Sequence, residues 1–96
     1  MKKALTFGPV SVAIQADSRI FQAYSSGVLN SPECGTNIDH GVLAVGYGTS
    51  PEGLEYFLVK NSWGEQWGDQ GFIKIAATEG EGTCGINKQA SYPEVV

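Results

Sequence analysis

The stretch PVSVAIQA, near the start of the chain, alternates apolar and polar positions. Val10, Val12 and Ile14 fall on one face of an extended backbone, and Ser11 and Gln15 fall on the other. A period of two residues is typical of a β-strand that buries one face. The stretch therefore predicts a strand with one face in the core.

The following segment, DSRIFQAYSSG, changes to helical spacing. Ile20, Phe21 and Tyr24 share one side of a helix, and Asp17 or Ser18 can cap its start. A glycine closes the segment, and glycine is a common residue at the end of a helix. The segment therefore predicts one short helix.

Two apolar runs then flank the turn sequence TSPEG. The run GVLAVGYG is apolar on both faces, which is typical of a central strand, and EYFLVKNS returns beside it as the second strand of a hairpin. FIKIAA predicts another strand and ASYPEVV a final extended segment, with glycine-rich loops between them. The whole pattern indicates a mostly antiparallel β structure with one short helix.

The composition narrows the class of protein. With 96 residues, of which 42% are hydrophobic and 17% charged, we expect one globular domain, residues 1–96. The net charge is -4 and the basic residues are scattered, which excludes a basic stripe for nucleic acid. No apolar run approaches the ~20 residues that span a bilayer, so no membrane partner is expected. Polar residues interrupt MKKALTFGPVSVAIQA, so we expect no signal peptide and a start inside a larger protein.

His40 is the only histidine, and it is either a buried structural imidazole or part of a catalytic group. It begins the first strand of the predicted hairpin, and Asn61 ends the second, 21 residues later. Antiparallel pairing brings the start of one strand beside the end of the next, so the two side chains should be neighbours. An amide beside an imidazole can accept its N–H and fix its tautomer, which is the orienting role in a catalytic triad.

The loop KNSWGEQWGDQG, which follows the hairpin, carries both tryptophans of the chain. Trp63 and Trp67 lie in a glycine-rich stretch instead of on a strand. Tryptophans in such a loop more often cover another group. Anchoring of the loop itself is the alternative.

The spacing of the two cysteines does not decide whether they form a disulfide. Cys34 and Cys84 are too few for a disulfide framework or a closed zinc site, and their spacing alone allows either one disulfide or two free thiols. A metal site from Cys34, Asp39, His40 and Cys84 is a further alternative, but the five residues between Cys34 and His40 match no zinc motif. We therefore expect no metal and no cofactor.

Four blocks of the sequence together resemble a known family. GPVSVAIQA, CGTNIDHGVLAVGYG, YFLVKNSWGEQWGDQGFIKI and CGINKQASYP are similar to the C-terminal half of papain-like cysteine proteases, with the cathepsin L group nearest. The resemblance implies an α+β fold, predominantly antiparallel, with a barrel-like sheet that forms one half of a two-domain enzyme. It also implies a Cys34–Cys84 disulfide and a lysosomal, vacuolar or secreted location for the parent protease.

The resemblance assigns roles to individual residues. His40 would be the general base and Asn61 its orienting partner. Trp63 would shield their hydrogen bond from water, and Trp67 would form the leaving-group side of the cleft. Ala13, Ile38 and Gln89 would line the S2 pocket, which holds the substrate residue two positions before the scissile bond, and Asp39 would also bind substrate. A small alanine and an apolar isoleucine favour a bulky apolar side chain there, and neutral Gln89 disfavours a basic one.

The family's nucleophile has no counterpart in this sequence. It lies in a CGSCW-like stretch, whereas Cys34 and Cys84 both precede glycine in loops. We therefore expect a cysteine endopeptidase fragment that carries the base, lacks the N-terminal helical half and is inactive alone. Its partners would be a peptide or protein substrate, the missing cysteine-bearing half, and a second copy through the exposed face. A non-catalytic binding or scaffold module is the alternative, and the presence of an orienting amide argues against it.

Overall fold

The computed structural model describes residue 5, residues 8–88 and residues 90–91. Among the described residues, most of the regular structure is β-strand, and a short helix, α1, spans Arg19–Gln22. Two 3₁₀ turns lie at Pro32–Cys34 and Thr83–Gly85. The strands are β1 Val10–Ile14, β2 Val28–Leu29, β3 His40–Thr49, β4 Glu55–Lys60, β5 Phe72–Ala76 and β6 Ala90–Ser91.

All six strands belong to one sheet in the order β2-β5-β4-β3-β1-β6. Four of the five neighbouring pairs are antiparallel, and only β2 and β5 run parallel. The expected α+β, mostly antiparallel fold is confirmed. Within the described residues the sheet stays open, because its edge strands β2 and β6 have two residues each and pair only with their inner neighbours. The sheet is therefore barrel-like in its strand content, but within the described residues it is not closed into a barrel.

The alternating pattern of β1 corresponds to the buried face of the sheet. Val10, Val12 and Ile14 are buried, and Ile73 and Ile75 of β5 are fully enclosed. Each such aliphatic side chain contributes about 1.5–3 kcal/mol by its removal from water. The predicted apolar face of β1 is thus part of the observed core.

Helix α1 lies against this core through the side that its sequence predicts. Phe21 is fully buried and Tyr24 nearly so. The Tyr24 hydroxyl donates to the Gly27 carbonyl at 2.6 Å and accepts from the Lys74 N–H of β5 at 3.3 Å. Burial raises the pKa of the Tyr24 phenol. Ser18 occupies the N-cap position, but its side chain makes no capping hydrogen bond.

The β3–β4 hairpin contains one shift in its pairing register. Its turn is closed by hydrogen bonds from the Ser50 N–H to the Leu54 carbonyl, 2.8 Å, and from the Leu54 N–H to Ser50 Oγ, 3.1 Å. Ala44 pairs with Val59 and Gly46 with Leu58, so Val45 is an extra residue on β3, as in a β-bulge. The predicted hairpin is present, with one residue more on the strand that begins at the histidine.

The two cysteines form the disulfide that the resemblance implied. Cys34 and Cys84 are joined with an S–S distance of 2.04 Å, and both are buried. The bond links the two 3₁₀ turns and withdraws both sulfurs from metal binding. Among the described residues, no three side chains of the metal-binding types cluster together. In the same part of the chain, none of the helical structure is long and apolar enough to cross a membrane.

Replacement of both cysteines by alanine should destabilise the fold by about 4 kcal/mol, because the bond closes a loop with a sequence separation of 50 residues. Urea unfolding followed by circular dichroism measures this difference. Intact mass after alkylation of the oxidised, denatured protein provides the matching chemical test. Two alkylated thiols in that experiment would contradict the assignment.

Candidate active site

The imidazole of His40 is hydrogen-bonded to the side chain of Asn61, with 2.8 Å between Nε2 and Oδ1. His40 is the first residue of β3 and pairs with Ile14 of β1. Asn61 follows directly after β4, and its N–H donates to the Gly71 carbonyl at 3.0 Å. The imidazole is half-buried and the amide is buried. Neighbouring strands of one sheet therefore hold both residues, as antiparallel pairing predicts.

The tautomer of His40 follows from a second hydrogen bond to the same oxygen. Asn61 Oδ1 also accepts the Ser62 N–H at 2.7 Å. A backbone N–H can only donate, so the amide atom at this position must be the oxygen. The imidazole must then donate from Nε2, and in the neutral ring the lone pair lies on Nδ1. The nitrogen that can take up a proton is the one not engaged by Asn61.

The same amide carries an unsatisfied donor. Asn61 is 5% exposed, and its Nδ2 has no hydrogen-bond acceptor among the described residues. A buried donor without a partner costs about 1–3 kcal/mol. The orientation of this amide thus favours the imidazole at the expense of stability.

Trp63 lies beside the imidazole. The two ring centroids are 5.3 Å apart with planes inclined by 32°, and 41% of Trp63 stays exposed. Its indole also meets Phe21 edge-on, at 5.5 Å and 87°. The indole thus packs on both a buried phenyl ring and the imidazole.

Trp67 is anchored on α1. Its Nε1–H donates to the Gln22 carbonyl at 3.2 Å, and its ring stacks on Phe21 with centroids 4.9 Å apart. Trp63 and Trp67 contact each other in a T-shaped pair at 5.3 Å. Trp67 thus contacts α1, while Trp63 packs on the histidine.

A small cavity of about 210 Å³ opens beside His40. Asp39 borders it, with its Oδ1 accepting the Ala16 N–H at 2.9 Å and its own N–H donating to the Ile14 carbonyl at 2.9 Å. The cavity is lined by Ala16, Asp17, Gln22, Asp39, His40 and Trp63. Ala16, Asp17 and Gln22 were not predicted as members of the site. The strand register could have indicated them, because Ile14 pairs with His40 and the residues after Ile14 must pass beside the histidine.

The other predicted substrate-binding residues lie on two different elements. Ala13 is half-buried on β1, opposite Gly41 of β3. Ile38 is half-buried just before β3, where a Cβ on Gly85 would lie 3.1 Å from its Cγ2. Gln89 lies outside the described residues. The structure thus brings His40 together with Asn61, Trp63 and Asp39. Ala13 lies on β1, and Ile38 lies in the loop before β3.

The chain is similar to known cysteine proteases in sequence and in fold. A family model described as papain family cysteine protease matches residues 1–94. The chain is 59% identical over 97 residues both to cathepsin L of Sarcophaga peregrina and to a cathepsin L-like peptidase of Aedes aegypti, covering 99% of this chain and 28% of each relative. Its fold matches the bromelain protease of Ananas comosus, solved with the E64 inhibitor, with a TM-score of 0.91 and 43% identity. That match covers 100% of this chain and 45% of the bromelain chain.

Replacement of Asn61 by alanine should release the His40 Nε2–H to solvent. We expect this ring proton to exchange at least about tenfold faster in N61A, because a buried hydrogen bond to a fixed acceptor is lost. Nitrogen-15 NMR of the imidazole measures the exchange. Asn30→Ala is the matched control, since Asn30 is exposed on a different loop. Equal exchange rates in the natural protein and N61A would show that Asn61 does not hold the ring.

Proposed function

The chain belongs to the papain family of cysteine proteases, and we propose that it supplies the proton-transferring half of a cysteine endopeptidase site. The observation that carries this proposal is the 2.8 Å bond between His40 Nε2 and Asn61 Oδ1, which leaves Nδ1 free to take a proton. The chain spans 28% of the length of its cathepsin L relatives, and the activity proposed is that of the whole enzyme.

The nucleophile of this enzyme has to come from another segment. Both cysteines of the chain are consumed in the buried disulfide, so neither can become a thiolate. We propose that the missing N-terminal helical half presents a cysteine thiol to His40 Nδ1. Transfer of the thiol proton to the imidazole then yields a thiolate beside an imidazolium, the reactive form of cysteine.

The reaction follows from this ion pair. The thiolate attacks the carbonyl carbon of the scissile peptide bond, and the His40 imidazolium protonates the departing amine as the carbon–nitrogen bond breaks. The product is a thioester on the nucleophile. A water molecule then attacks the thioester, with His40 taking its proton, and returns the free thiol and the second peptide fragment.

Asn61 suits this cycle because its carbonyl oxygen accepts the Nε2–H of both the neutral and the protonated ring. A neutral amide orients the ring without adding a second negative charge beside the thiolate. Trp63 packs against the imidazole and limits the access of water. Lower local dielectric strengthens the attraction between the two charged partners.

Substrate binding is proposed for two sides of His40. Ala13 is small and Ile38 apolar, which suits a bulky apolar side chain in the S2 pocket, and Gln89 would close that pocket with a neutral group. The cavity bordered by Asp39 and Trp63 suits the leaving-group side. Trp67 supports this side through its contacts with Trp63 and α1.

The partner half is proposed to seat on the sheet next to Asn61. A groove of about 450 Å³ lies there, lined by Ser11, Val12, Gly41, Val42, Leu43, Lys60, Asn61 and Ser62. We treat residues 1–96 as one domain of the two-domain enzyme. The disulfide supports folding in an oxidising compartment, consistent with a lysosomal, vacuolar or secreted parent. A purely non-catalytic module is disfavoured, because it gains nothing from an imidazole held in one tautomer.

The chain alone should not hydrolyse fluorogenic dipeptide substrates and should not be labelled by an epoxide inhibitor of thiol proteases. Joined to the cysteine-bearing half of the Sarcophaga cathepsin L, it should gain both properties. His40→Ala should then reduce kcat/KM about 10²- to 10⁴-fold, the usual contribution of a general base. Asn30→Ala serves as the control with full activity. Turnover by the chain alone that depends on Cys34 or Cys84 would refute the proposal.

Without the partner half, we propose that the groove beside Asn61 promotes self-association of the chain. Leu43, half-buried in that groove, should sit in the contact, because uncovered apolar surface favours association. Light scattering should show a mass that rises with concentration for the natural chain. Leu43→Glu should keep it monomeric, whereas Leu54→Glu, on the exposed hairpin turn, should not. A monomer at high concentration for the natural chain would contradict this expectation.

A further inference from the structure

The side chain of Gln15, directly after β1, bridges two segments of the chain. Its Oε1 accepts the Asn37 N–H at 2.8 Å, and its Nε2 donates to Asp17 Oδ1 at 2.8 Å. Its backbone N–H donates to the Cys84 carbonyl at 2.8 Å. One residue thus contacts both the segment that leads to His40 and the loop that carries the second cysteine.

The end of the Gln15 side chain lies against a glycine. Gly35 has φ of 81°, and a Cβ at this position would overlap Gln15 Oε1. A positive φ and the lack of a side chain are both properties of glycine. The Gln15 amide therefore lies directly on the turn that opens the pre-histidine segment, which we define as residues 35–39.

The opposite side of the pre-histidine segment is closed by the disulfide loop. A Cβ at Gly85 would lie 3.1 Å from Ile38 Cγ2 and 3.2 Å from Thr36 Cα, so the two backbones are in close contact. Lys88 Nζ donates to the Thr36 carbonyl at 2.9 Å. The segment is thus held between the Gln15 amide on one side and Gly85 on the other.

We propose that Gln15 is a positioning residue that sets the specificity of the S2 pocket. By accepting the Asn37 N–H, it fixes the backbone immediately before Ile38 and so the wall that Ile38 gives to the pocket. This inference rests on the proposed function, because it needs Ile38 to contact substrate. The hydrogen bonds of Gln15 go to Asn37, Asp17 and the Cys84 carbonyl, so it would act on substrate only through the residues that it positions.

The contacts of Gln15 separate specificity from proton transfer. The imidazole is positioned by β3, by Asn61 and by Trp63, and Asp39 has its own bonds to Ile14 and Ala16. Loss of the Gln15 side-chain bonds therefore frees Asn37 and Ile38, and also Asp17 at the edge of the cavity beside His40, but it leaves every bond of the histidine in place. The expected signature is altered selectivity and KM with little change in kcat, whereas general destabilisation alters no selectivity.

The first test uses hydrogen exchange in the 96-residue chain. Gln15→Met keeps the length of the side chain and removes both hydrogen bonds, so the Asn37 amide should exchange at least about fivefold faster. Gln15→Glu keeps an acceptor and should show a smaller increase. Gln66→Met is the matched control, because Gln66 is exposed in the tryptophan loop, and should leave this exchange unchanged. Gln15→Asn, too short to reach Asn37, replaces Gln15→Met if that variant does not fold.

The second test uses the two-half protease, which is this chain joined to the cysteine-bearing half of the Sarcophaga cathepsin L. Two substrates are compared, one with leucine and one with alanine as the residue that enters the S2 pocket. The ratio of their kcat/KM values, leucine to alanine, should fall at least about threefold in Gln15→Met. The kcat for the leucine substrate should change less than about twofold. Unchanged Asn37 exchange, or an unchanged ratio with an active protease, would overturn the role of Gln15. Inactivity of the natural two-half protease would instead overturn the proposed function, and the specificity role with it.

Discussion

A single carbonyl oxygen, Asn61 Oδ1, sets the orientation and the tautomer of the His40 imidazole. It accepts both the Ser62 N–H and the His40 Nε2–H. Because a backbone N–H can only donate, the bond from Ser62 shows that the amide atom facing His40 is the oxygen. The chain leaves Asn61 Nδ2 buried without an acceptor among the described residues, so this geometry carries an energetic penalty. The surrounding strands, the tryptophan loop and α1 can be understood as the support that keeps the amide in this orientation.

The sequence was sufficient for those parts of the fold that depend on local pattern. Alternation predicted the buried face of β1, and the turn between β3 and β4 with antiparallel geometry predicted that His40 and Asn61 would meet. The four-block resemblance supplied the disulfide, which spacing alone had left open. The open sheet edges of the described residues and the bulge at Val45 were not predictable, because no residue pattern marks where two strands stop pairing or skip a residue.

The members of the site that sequence reasoning missed are those placed by tertiary contact. Asp17 and Gln22 have no motif of their own and reach the cavity only because β1 pairs with the start of β3. The dual behaviour of the tryptophans has the same origin. Trp67 finds the Gln22 carbonyl across 45 residues of sequence, a contact that no local pattern encodes. Phe21, which the helical pattern placed correctly on the apolar side of α1, proved to be the ring on which both indoles rest.

The bulge at Val45 has a consequence for how this sequence can change by insertion and deletion. Ala44 and Gly46, on either side of the bulge, pair with consecutive residues of β4, so removal of Val45 would leave a regular ladder and keep every position from His40 to Ala44 opposite the same partner. A deletion between His40 and Ala44 would instead turn the histidine away from the amide, because successive side chains of a strand point to opposite faces. Added residues in the exposed turn between Ser50 and Leu54 leave the histidine in place. The length of the chain should therefore vary freely at the hairpin tip and at the bulge, and hardly at all between the histidine and Ala44.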